Sequence, residues 1–112
     1  MKNKPIILVA GEPDSIFFEI FFKALRKNSY KSPLILICCK SLLIRQMKKF
    51  KFKKILNKLK IEDLKSINLN NKSINFININ LQNSSNIRSK NKITKTYINE
   101  SFKVAFQLIK NG

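Results

Sequence analysis

The sequence predicts an α/β fold built on mostly parallel strands. Three observations carry this expectation. Two continuous apolar runs, Ile6–Ala10 and Leu34–Cys39, read as strands buried on both faces. A helix-period segment lies between them, which makes a βαβ unit with a right-handed crossover. The last segment, from about Ile93 to Lys110, has the pattern of an amphipathic helix.

The first strand is bounded by Pro5 and Gly11, and Gly11-Glu12-Pro13-Asp14 forms the loop that follows. Asp14 or Ser15 is placed to cap the next helix. Glu19 suits the positive end of that helix, which runs to about Lys27. Ile16, Phe17, Ile20, Phe21, Ala24 and Leu25 recur at helical spacing and form its expected core face. Pro33 introduces the second strand. Ser41 is the expected cap of a second helix through Leu42, Leu43, Ile44 and Met47.

Beyond it, Ile55 to Leu59 reads as helical or irregular, and Ile61 to Leu64 as a short turn. In Ser73–Leu81, apolar residues loosely alternate with Asn75, Asn78 and Asn80. That pattern predicts a half-exposed strand at or near a sheet edge. Asn83-Ser84-Ser85-Asn86 is a polar loop. On the closing helix, Tyr97, Ile98, Phe102, Ala105, Phe106, Leu108 and Ile109 make the apolar face, and Asn111-Gly112 has the chemistry of a helix end.

Composition narrows the function classes. The 112 residues suit a single domain, and 44% hydrophobic content supports a core. No apolar run approaches the ~18–20 residues of a membrane span, and no leader pattern is visible. A cytoplasmic protein without a membrane partner is expected. Cys38 and Cys39 are adjacent, so they point to opposite strand faces and do not bridge each other. The sequence contains no His, which leaves too few ligands for a zinc site.

The net charge of +17 raises a polyanion partner. The dense cluster is Lys48-Lys49-Phe50-Lys51-Phe52-Lys53-Lys54, where two Phe rings interleave with lysines as in single-strand binders. The same cluster reads equally as an ordinary element with an inward aromatic face and solvated lysines. Charge spread along a chain rich in Lys, Asn and Ile favours the second reading, so nucleic acid is not the expected partner.

Lys4-Pro5-Ile6-Ile7, Gly11-Glu12-Pro13, Ile16, Glu19-Ile20 and Lys23-Ala24-Leu25 together resemble the N-terminus of the 4-hydroxythreonine-4-phosphate dehydrogenase family. Pro33–Met47 and Tyr97–Gly112 are similar to later parts of the same N-terminal region. The resemblance implies a single incomplete α/β domain over 1–112, the N-terminal third of a larger enzyme. It implies the isocitrate/isopropylmalate dehydrogenase-like fold and a homodimer. It further implies NAD-dependent oxidation of a small phosphorylated substrate, 4-phosphooxy-threonine, on the route to pyridoxal 5′-phosphate. A divalent metal (Zn, Mg or Co) polarises the substrate oxygens in that family.

Ser15 and Phe17-Phe18 stand where the family carries Gly and Gly-Pro, and the family's metal histidines have no counterpart here. No catalytic, metal or NAD-binding residue is therefore assigned. The chain alone is expected to bind neither cofactor and to be inactive. Gly11, Glu12, Pro13 and Asp14 are the candidate substrate-loop residues. Turn chemistry and helix capping are the favoured account of the two acids on position alone. A small basic nucleic-acid-binding domain using Lys48–Lys54 is the alternative function. A stand-alone flavodoxin-like module is the third.

Overall fold

The computed structural model describes residues 5–11, 16–63, 69–80 and 87–110. Within them, β1 (Ile6–Val9), α1 (Phe17–Lys27), β2 (Leu34–Cys38), α2 (Lys40–Lys49), β3 (Ile55–Lys58), β4 (Ser73–Asn78) and α3 (Ile87–Lys110) follow in chain order. A short 3-10 turn, Ile61–Asp63, lies between β3 and β4. The four strands form one parallel sheet in the order β1-β2-β4-β3. The chain is a parallel α/β structure that includes the C-terminal helix.

β1 and β2 pair in register, Ile6 opposite Leu34 through Val9 opposite Ile37. α1 connects them, and α2 carries the chain onward in the same direction across the sheet. Right-handed crossovers then put both helices on one face. α1 and α2 touch, and Phe22 of α1 stacks on Phe52, just beyond α2, with centroids 4.7 Å apart and meets Phe50 at the end of α2 edge-on at 6.2 Å. α3 runs back across β1 and β2 on the opposite face, where Tyr97, Ala105 and Leu108 are buried.

The core is centred on β2 and β4. Leu36, Ile37, Cys38 and Phe76 are each at most 1% exposed. β4 therefore departs from its expected place at or near a sheet edge, since it lies between β2 and β3. Of the asparagines that suggested solvent, Asn75 faces protein instead, Asn78 is half-buried and Asn80 is exposed. Asn75 is buried, and its amide donates to the carbonyls of Leu34 (3.3 Å) and Asn70 (2.8 Å) while accepting from Asn57 (3.0 Å). A buried amide with partners on both ends is tolerated where an unpaired one is costly.

Ile55–Lys58 forms an edge strand, not the helical or irregular segment that its lysines suggested. Its pairing comes wholly from β4, so no local signal encodes it. α1 also turns further than its spacing predicts. Phe18, Phe21 and Phe22 are buried, whereas Ile16 (69%) and Ile20 (57%) are exposed. Aromatic bulk selects the inward face here. The two cysteines are free and buried, as their position in an apolar run suggests.

Candidate functional site

Ligands of open parallel sheets gather outside the carboxyl ends of the strands, where neighbouring strands send their connections to opposite faces. In this sheet that point lies between β2, which leads into α2, and β4, which leads toward α3 on the other side. The carboxyl edge is the candidate site.

Gly11 leaves β1 at this edge, one residue beyond Ala10, whose N–H donates to the Ile37 carbonyl (3.2 Å). Its φ is +75°, a left-handed conformation that side chains resist. A Cβ there would meet no described atom within 4 Å. Backbone conformation, not crowding, is what asks for glycine. Glu12, Pro13 and Asp14 lie outside the described residues, as does Ser15. Ile16 stands at the N-cap position of α1 and supplies no side-chain cap.

The start of α2 is built by Cys39, Asn78 and Tyr97, which the sequence pattern placed on a strand or helix face and not at this helix start. Cys39, not Ser41, occupies the N-cap position. The Lys40 N–H donates to Asn78 Oδ1 of β4 (2.8 Å), and Asn78 Nδ2 donates to Asn80 Oδ1 (3.2 Å). The Cys39 N–H donates to the Tyr97 hydroxyl of α3 (2.9 Å). An Asn-x-Asn pair closing a strand was the available signal for this cap. Because Tyr97 meets the end of β2, and α3 begins at Ile87, the first turns of α3 extend past the carboxyl edge.

The chemistry at this edge is that of positioning. Burial, with the neighbouring Cys39 adding to it, pushes the Cys38 thiol up to about 12. It is therefore no nucleophile near neutral pH. Burial likewise raises the Tyr97 hydroxyl well above its usual range, against the lowering effect of its hydrogen bond to the Cys39 backbone. Glu19 is engaged by Lys23 (3.2 Å), and Glu100 is exposed on α3. Among the described residues, no group of three or more His, Cys, Asp or Glu side chains is placed to hold a metal ion. The described donors thus do not fit a metal centre.

The lysine cluster sits elsewhere, at the far side of the sheet beside β3. Phe52 is buried against Phe22, with the Arg26 guanidinium 5.4 Å from its ring centre. Phe50 is half-buried between Phe22 and Lys49. Phe52 is a core ring and Phe50 is half-buried against Phe22 with Lys49 over it, so the pair does not form the open base-stacking platform that their spacing suggested. Lys48, Lys51 and Lys53 are exposed.

Among the described residues, no helix is long and apolar enough to cross a membrane. No family model and no curated protein matches this chain.

Proposed function

We propose that the chain is the opening α/β portion of a protein similar to the 4-hydroxythreonine-4-phosphate dehydrogenases. In that reading, its first strand and loop help to shape the pocket for a small phosphorylated substrate. The reaction served is NAD- and metal-dependent oxidation of 4-phosphooxy-threonine in vitamin B6 synthesis, within a cytoplasmic homodimer of the isocitrate dehydrogenase-like fold.

The observation that supports this best is Gly11. The Gly-Glu-Pro signature begins with a residue that ends β1 in a left-handed turn, at the sheet edge where parallel α/β proteins bind ligands. The described residues supply no metal ligands, so no chemical step is assigned to them. Their contribution is a rigid floor: the parallel ladder holds β1, and the Asn78 and Tyr97 hydrogen bonds hold the start of α2 beside it.

A chimera tests the reading. This chain replaces the corresponding N-terminal region of a working family enzyme, and NAD reduction is measured with the phosphorylated substrate and added metal. Turnover by the chimera, with none from this chain alone, is the expected result. A folded, dimeric chimera without turnover would overturn it. In the alternative reading, the exposed lysines of 48–54 bind nucleic acid through phosphates alone.

A further inference from the structure

We propose that the groove between α2 and β3 is a docking site for an extended acidic polypeptide segment, which adds to the sheet as a strand beside β3. The proposal stands apart from the dehydrogenase-like reading. Three features carry it.

The first is shape and charge. The groove is open, with a volume of about 720 Å³, and is lined by the apolar Ile44, Met47, Phe52 and Leu56 together with Lys48, Lys51, Lys53 and Lys54. Among the described residues, none of these lysines has an ion-pair partner. These cations beside an apolar lining complement an occupant with carboxylates and intervening apolar side chains.

The second is the open edge. Among the described residues, β3 pairs with β4 on one side only. The Leu59 N–H turns inward to the Phe76 carbonyl (2.8 Å). By strand alternation, the backbone groups of Leu56 and Lys58 turn outward. With no partner among the described residues, those groups are what a polypeptide, unlike a nucleic acid, satisfies by strand addition.

The third is rigidity. α2 ends in a paired C-terminal cap, with the Phe52 N–H donating to the Met47 carbonyl (2.9 Å) and the Lys51 N–H to the Lys48 carbonyl (3.3 Å). Arg26 reaches from α1 to donate to the carbonyls of Phe50 (2.9 Å) and Lys51 (3.1 Å). The loop holding the lysines is fixed before any partner arrives, which lowers the ordering cost of binding. Phe52, the aromatic residue among those lining the groove, is buried and so offers no open ring for a base to stack on.

The test uses the full chain and a labelled peptide of alternating Glu and Val, followed by fluorescence anisotropy. Two controls are the same peptide N-methylated at alternate residues and an oligo-dT strand. The unmodified peptide binds, and N-methylation weakens it at least about tenfold by blocking the strand hydrogen bonds. The double variant Lys48→Glu/Lys53→Glu, at two exposed positions and checked for folding by circular dichroism, weakens it by a similar factor of about ten or more. Equal binding of the methylated peptide would overturn strand addition. Tighter binding of oligo-dT than of the peptide would overturn the choice of partner in favour of nucleic acid, and no peptide binding at low salt would overturn the site itself.

Discussion

Single residues carry unusual conformational duties in this chain. Lys51 has φ +52°, a left-handed position at the end of α2 where glycine is the common choice. Lys51→Gly should therefore raise stability, by about 0.5–1 kcal/mol, read as a higher urea midpoint. Gly11 is the converse, and Gly11→Ala should cost about 1–2 kcal/mol in the same measurement. Burial of the Cys38 thiol has a pH signature. Its folded pKa, about 12, lies above the unfolded value of 9.0, so the neutral thiol favours the fold. That contribution is complete below about pH 9 and is lost as pH rises toward 12. Alkaline titration followed by circular dichroism should show stability falling across this window, and Cys38→Ala should remove part of the fall.

At the scale of elements, aromatic packing sets the position of α1. Phe22 is 1% exposed and touches Phe18, Phe21, Phe50 and Phe52, so Phe22→Ala should cost about 3–5 kcal/mol. Ile20→Ala, at a residue 57% exposed, should change stability by less than about 0.5 kcal/mol in parallel denaturation curves. Spacing alone had put Ile20 on the core face. β2, α1, α2 and α3 were legible because each buries an apolar run or a helical stripe. β1 was legible as an apolar run, but it is an edge strand with Ile6 exposed and Ile7, Leu8 and Val9 half-buried, not the strand buried on both faces that its run suggested. β3 was not legible, because lysines flank it and its partner among the described residues is β4, fifteen or more residues later in the chain. β4 was recognised as a strand but placed too far out, since Asn75 and Asn78 looked like solvent-facing positions. Both amides have protein partners instead. On α3 the buried stripe is Tyr97, Ser101, Ala105 and Leu108, and the Ser101 hydroxyl donates to the Tyr97 carbonyl (2.8 Å). Phe102, Phe106 and Ile109, expected inward, are exposed beside it. Of the candidate loop, Gly11 alone falls among the described residues, so the edge was predictable while its Asn78 and Tyr97 supports were not.

For the whole molecule, charge and topology matter most. With a net charge of +17, the folded chain works against its own repulsion. Added salt screens that repulsion, so the urea midpoint should rise from low to high ionic strength. The strand order has a consequence in time. β3 is made before β4 but joins the sheet only through it. A growing chain therefore holds a gap one strand wide beside β2 until Ser73–Asn78 leaves the ribosome. Until then, Ile55–Lys58 has no neighbour to pair with. Among the described residues, β4 enters the middle of the sheet and secures the strand made before it.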